Sequence, residues 1–194
     1  MFFRRTSVEI LTERMVLRLP HMFDHPTWAN LRRESDTFLR EWEPVRAADH
    51  YSRRAFRSRV YWAQQSVEKG TALPVFLIRR HDEQLLGAAT LDNIRRGPAQ
   101  AGTLGYWIGE PYARQGYMRE AVTALVSYAF DALALSRIEA ACLAENRPSR
   151  ALLENCGFKY EGVAQSYLQI AGRWRNHVLY ANIRSDRRGK TDVG

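Results

Sequence analysis

The chain has 194 residues, 45% of them hydrophobic, and only seven prolines, which fits one globular α/β or α+β domain with a substantial core. Its formal net charge is +8, carried almost wholly by arginine; this suits an anionic partner such as a nucleotide, RNA, the ribosome or an acidic peptide, or else an arginine-rich solvated surface. No apolar run approaches the roughly 18–20 residues of a membrane span.

The opening MFFRRTSVEIL has neither the apolar stretch nor the small-residue cleavage site of a signal peptide, so a cytoplasmic location and no membrane partner are expected. RMVLRLP alternates Met15, Leu17 and Leu19 against Arg14 and Arg18 and reads as the first strand. A helical region follows from Asp24 to about Phe38, and a turn at Pro44 interrupts it. From Asp49 to Lys69 the residues Phe56, Val60, Ala63 and Val67 recur at helical spacing, with Gly70 as the stop. Arg53, Arg54, Arg57 and Arg59 cluster near the start of that helix; they read as an exposed face, with a specific site as the alternative.

ALPVFLIRR and QLLGAATLDNI are strands joined as a hairpin, and GTLGYWIGEP is a third, ended by Pro111. A helix from about Gln115 to Ala132 carries a wide apolar stripe that includes Met118, Ala121, Val122, Leu125 and Ala129. SRIEAACLA is a strand, and RPSRALLENCGF a short helix closed by Gly157. YLQIAGRWRNHVLYANI reads as two strands around Ala171-Gly172. The domain is expected to span residues 1–184, followed by a loose basic tail over 185–194. Cys142 and Cys156 read as reduced, small core residues.

The stretch EPYARQGYMREA carries the strongest functional signal. A strand that enters a helix through Gly116 presents unpaired N–H groups at the positive end of the helix dipole, which is an anion site, and Arg114 adds charge there. Neither a Walker sequence nor a GxGxxG fingerprint is present, which argues against a P-loop kinase or a nicotinamide dehydrogenase. Asn146 and Ser149 at the start of the next helix read as caps when taken singly. The five histidines are scattered without ligand spacing, so no metal is expected.

Taken together, these segments resemble the GNAT acetyltransferase superfamily, in particular its RimJ/RimL-type branch, which acetylates the N-termini of ribosomal proteins. The similarity spans nearly the whole chain: TERMVLRLP, FLREWEPVR, YWIGEPYARQGYMREA, AENRPSRALLENCGFKYEG and GRWRNHVLYA. It implies a GNAT fold, a mixed and mostly antiparallel twisted sheet with helices on both faces. It also implies transfer of acetyl from acetyl-CoA to a primary amine, namely a protein N-terminus and most specifically a ribosomal one. By the same resemblance, the backbone of Tyr106, Trp107 and Ile108 pairs with the pantetheine arm, and the loop Ala113, Arg114, Gln115, Gly116, Tyr117 and Met118 cradles the pyrophosphate. Asn146 hydrogen-bonds the cofactor, and Ser149 protonates the departing thiolate.

The sequence departs from the family pattern at four positions. Ala113 and Met118 replace the usual Gln/Arg and Gly/Ala of the loop, Leu153 stands where many relatives carry a tyrosine acid, and Leu168 stands where a branch member places its base. The base is left open among Glu110, Glu43 and a water relay. Trp42, Glu43, Glu110 and Trp174 are expected at the acceptor, with Tyr61, Trp62 and Tyr167 either beside them or in ordinary packing. Two alternative functions stand beside this one: acetylation of a small amine (amino acid, polyamine or antibiotic), and a non-catalytic RNA- or ribosome-binding factor on the same scaffold.

Overall fold

A computed structural model of the chain describes residues 8–187. Eight strands form one sheet: β1 (Glu9–Leu11), β2 (Met15–Arg18), β3 (Leu73–Arg79), β4 (Leu85–Arg95), β5 (Ala101–Ile108), β6 (Arg137–Leu143), β7 (Lys159–Ile170) and β8 (Arg173–Ile183). Their spatial order is β1-β2-β3-β4-β5-β6-β8-β7. Each neighbouring pair is antiparallel except β5 and β6. The helices are α1 (His25–Glu34), α2 (Asp36–Arg40), α3 (Arg53–Lys69), α4 (Tyr117–Asp131) and α5 (Arg147–Asn155). Of the expected basic tail, residues 185–187 form a short turn and 188–194 lie outside the described residues. No helix among the described residues is long and apolar enough to cross a membrane.

The period-two pattern of β3 divides the core between the two faces of the sheet. Leu73, Val75 and Leu77 join one cluster, in which Met118, Ala121, Val122, Leu125 and Ala129 of α4 are buried. Phe76 and Ile78 join the other, with Trp28 and Leu31 of α1 and Phe56 and Val60 of α3. Each large apolar side chain so buried contributes about 1.5–3 kcal/mol.

Three features differ from the sequence reading. The helical region expected from Asp24 to Phe38 is broken at Ser35, which separates α1 from α2. Ser35 is fully buried, and its hydroxyl accepts the Glu110 amide at 2.9 Å, so the break joins this region to the end of β5. The three-residue β1 was not expected; it is too short to show a period. β7 starts at Lys159 instead of Tyr167, because register shifts at Tyr160/Gly162 and Ala164/Leu168 break the alternation that would have revealed it.

At Gly87 the backbone of β5 occupies the space a side chain would need: a Cβ there would stand 2.3 Å from the Trp107 carbonyl oxygen and 2.9 Å from Ile108 Cα. At Gly105 on β5, a Cβ would meet nothing within 4 Å.

The segment between α2 and α3 is held by charge. Arg32, 5% exposed, donates from Nη1 and Nη2 to the two Glu43 carboxylate oxygens at 2.7 and 2.5 Å. Arg46 donates to Glu43 at 2.8 Å and to Asp36. The Ala171 amide donates to the Glu43 carbonyl at 3.0 Å, which fastens the tip of the β7–β8 hairpin to the same segment. Burial by itself would raise the Glu43 pKa, but hydrogen bonds and charge from Arg32, then Arg46, outweigh it and hold the carboxyl below 4.5.

Gly87→Ala is expected to lower stability by about 1–3 kcal/mol, because the obstacle is backbone, while Gly105→Ala stays within about 0.5 kcal/mol; thermal unfolding of the pair tests this. Glu43→Ala strands the buried Arg32 charge and is expected to cost about 3 kcal/mol. Because the folded pKa of Glu43 is depressed, its contribution is complete above pH 4.5 and is lost as pH falls through the folded value. Glu43→Gln should therefore flatten the acid limb of the stability–pH curve, and an unchanged limb would refute the assignment.

Candidate active site

β5 pairs with β6 only over Ala101–Leu104 against Arg137–Ala140, while β6 continues beside β8 to Leu143. On its other edge β5 stays paired with β4 as far as Ile108. From Gly105 onward, the β6-facing edge of β5 thus has no strand against it. Backbone groups in such a position need partners, and an extended chain carrying amides fits them. The expected backbone of Tyr106, Trp107 and Ile108 lies on this edge.

The strand leads through a 3₁₀ turn, Glu110–Tyr112, into the loop before α4. Gly116 is the N-cap of α4 with φ 81, and no side chain caps the helix. Arg114 is also left-handed, with φ 61; a non-glycine residue held there is strained and marks a shape imposed by its surroundings. Successive amides in this conformation form a concave donor surface at the positive end of α4. Tyr117 and Met118 bury their side chains in the core, leaving only their backbone for the loop surface. That explains why methionine is accepted in place of the usual small residue. A Cβ at Gly116 would meet only Arg14 Nη2, at 3.4 Å. The loop and the free edge of β5 thus fit a diphosphate joined to an amide-bearing arm.

Sequence reading missed the residue that braces this loop. Arg14 donates through Nε to Glu120 at 2.6 Å and through its own amide to the other carboxylate oxygen at 2.8 Å. Its Nη1 donates to the Gln115 carbonyl at 3.0 Å, and its guanidinium lies 4.2 Å from the Tyr117 ring centroid. The only local signal was an acid in the first turn of α4; the partner lies 106 residues away.

The side chains of β5 alternate across the sheet. Tyr106 reaches α5, where its hydroxyl is 2.7 Å from Ser149 Oγ. Burial pushes the Tyr106 phenol pKa up, with the Ser149 hydrogen bond opposing, so the phenol stays protonated near neutral pH. Asn146 accepts the Ser149 amide at 3.1 Å as the N-cap of α5, which leaves its side-chain NH₂ group for another partner. Leu153 is packed in the core, 1% exposed.

Trp107 points to the opposite face, into a cleft of about 360 Å³ lined also by Trp28, Arg32, Glu43, His50 and Arg59. The Arg32 guanidinium stacks 4.6 Å from the Trp107 ring. Burial first, then the charges of Arg59, Arg32 and Arg46, lower the His50 pKa to about 4, so its imidazole is neutral at pH 7. Of the residues expected at the acceptor, Glu43 lines this cleft, whereas Trp42, Glu110 and Trp174 lie outside its lining, as do Tyr61, Trp62 and Tyr167. The aromatic walls are instead Trp28 and Trp107. Among the described residues, no group of three or more His, Cys, Asp or Glu side chains is placed to hold a metal ion.

Comparisons with known proteins identify the family. Residues 14–159 match the acetyltransferase (GNAT) domain. The chain is 36% identical over 175 residues to the ribosomal protein uS5-alanine N-acetyltransferase of Escherichia coli (strain K12), covering 90% of each. The crystal structure of the ribosomal-protein-S5-alanine acetyltransferase from Vibrio fischeri superposes with a TM-score of 0.86 at 30% identity, covering 94% of this chain and 100% of that one. Mycobacterium smegmatis RimJ in complex with CoA-disulfide superposes with a TM-score of 0.85 at 27% identity, covering 94% and 89%. The domain match and these relatives place the protein in the GNAT acetyltransferase family, among its RimJ/RimL-type acetyl-CoA-dependent N-acetyltransferases.

Proposed function

We propose that the protein acetylates the N-terminal α-amino group of a ribosomal protein. The observation that carries this reading is the two-sided use of β5. Its free edge and the Gly116 loop serve the acetyl donor, and Trp107 opens a separate cleft on the other face for the acceptor. The similarity to ribosomal-protein alanine N-acetyltransferases supports the acceptor class, and a ribosomal acceptor implies a cytoplasmic location. The arginine-rich surface suits approach to ribosomal RNA.

Acetyl-CoA supplies an activated acetyl thioester. The backbone of Tyr106, Trp107 and Ile108 would hold its arm, the amides from Ala113 to Met118 its diphosphate, and the Asn146 side-chain NH₂ group a carbonyl. Ser149 is the proton donor to the departing sulfur, its proton being replaced by the one the amine releases through solvent, and the Tyr106 hydroxyl beside it orients the Ser149 hydroxyl.

Glu43 is a poor general base, because both its oxygens are engaged by guanidinia and its pKa is lowered. An N-terminal α-amine has a pKa near 8, so a substantial fraction is already neutral at physiological pH and a water relay past Glu110 suffices for the remaining proton. Positioning of amine and thioester then supplies much of the rate. Trp42 and Trp174 flank, in sequence, the junction where the hairpin tip meets Glu43, and are assigned to the rim of the acceptor path. The cleft lining carries three guanidinia and one carboxylate, which disfavours a polyamine acceptor. The relatives give no support to a non-catalytic RNA-binding role.

Calorimetry with acetyl-CoA is expected to give a binding isotherm for the native protein and none for Gly116→Glu, whose carboxylate would occupy the anion site. Ser149→Ala should still bind acetyl-CoA but acetylate alanine-first peptides with kcat lowered by about 10²-fold. Unchanged turnover in that variant would remove Ser149 from the mechanism, and failure of every N-terminal peptide as a substrate would refute the acceptor class.

A further inference from the structure

The acceptor cleft holds more cationic hydrogen-bonding capacity than its own carboxylate uses. Arg32, buried and bidentate to Glu43, has its Nε without a hydrogen-bond partner, and His50 Nε2 is likewise buried without one. Arg59 stacks over Trp28, its guanidinium carbon 5.1 Å from the ring centroid. It forms no ion pair or hydrogen bond among the described residues, whereas Arg46 is committed to Glu43 and Asp36. Burial of its stem and then the charge of Arg32 lower the Arg59 pKa, and an incoming carboxylate would offset the repulsion from Arg32. Arg59 is exposed at the cleft, and the lining carries three guanidinia against the single Glu43 carboxylate, so the cleft holds an excess of positive charge that its own side chains do not neutralise.

We infer that Arg59, on the arginine-rich lining of this cleft, forms a carboxylate-binding subsite that recognises an acidic side chain near the N-terminus of the acceptor polypeptide. The Arg59 guanidinium supplies the charge, its planar fork suits two carboxylate oxygens, and Trp28 holds it in place from beneath. The inference rests on the N-terminal acceptor reading above, since the first residue of a polypeptide has no free α-carboxylate and a side chain must supply the anion. The arginine cluster at the start of α3, which from sequence reads as a solvated face, thereby contributes one member to substrate selection: Arg59 lines the cleft, and Arg53, Arg54 and Arg57 do not.

The test uses the full chain saturated with CoA, so that no acetyl is transferred. Binding is measured by calorimetry for alanine-first peptides identical except for Glu or Gln at positions two to four, with free alanine as a third ligand. Turnover of the same ligands is then measured with acetyl-CoA. The Glu peptides should bind about tenfold more tightly than the Gln peptides and show a correspondingly lower KM. In Arg59→Gln, shown to be folded by circular dichroism, the Glu-to-Gln ratio should fall to near one, and Arg59→Lys should restore part of it. Equal affinity for Glu and Gln peptides in the native protein, or a preference that survives Arg59→Gln, overturns the subsite. Peptide acetylation without acidic preference overturns the subsite alone. Binding of free alanine with neither peptide bound overturns both the subsite as stated and the N-terminal acceptor reading.

Discussion

The hydrogen-bonding demand of one strand edge organises this molecule. β5 is fully paired to β4, but β6 leaves it after Leu104 and commits its remaining residues to β8. A backbone edge left open inside a domain is costly unless something pairs with it. Much of the surrounding structure keeps the gap open and correctly shaped. Tyr106 and Ser149 bridge β5 to α5 across it, and the Glu110 amide is tied to buried Ser35 where β5 ends. Arg14 fixes the loop that follows to the start of α4.

Alternation along β5 then assigns two kinds of chemistry to two faces. Tyr106 meets a hydroxyl in half-buried surroundings, where a neutral proton donor can be kept. One residue on, Trp107 meets guanidinia. Under the proposed reaction, this cationic face would disfavour a protonated amine and favour its neutral, nucleophilic form. The Arg32–Glu43–Arg46 network therefore has two roles. It closes the segment between α2 and α3 against the β7–β8 hairpin, and it sets the electrostatic character of the cleft beside Trp107.

Much of this was legible in the sequence where the signal is local. The period-two runs of β3 and β4, the apolar stripe of α4, the Gly70 stop and the glycine entering α4 each follow from residues a few positions apart. Family resemblance extended that reading to the family and its acetyl donor. Features with weak local pattern were lost: β1 is too short to show a period, bulges in β7 conceal its first half, and Ser35 breaks a helix because of a hydrogen bond to residue 110. The aromatic residues offered for the acceptor path were those beside a recognisable motif, whereas the cleft is walled by Trp28 and Trp107 from α1 and β5.

By itself, the sequence determined the order of elements and the glycine that enters α4, because these depend on backbone conformation and on periodicity within single segments, and its resemblance to a family gave the class of donor. Only the tertiary structure decided which charges meet. Arg14 with Glu120, Arg32 with Glu43, and Arg59 standing unpaired beside them are outcomes of how helices and hairpins pack, since a guanidinium's character depends on which distant carboxylate folding brings within reach.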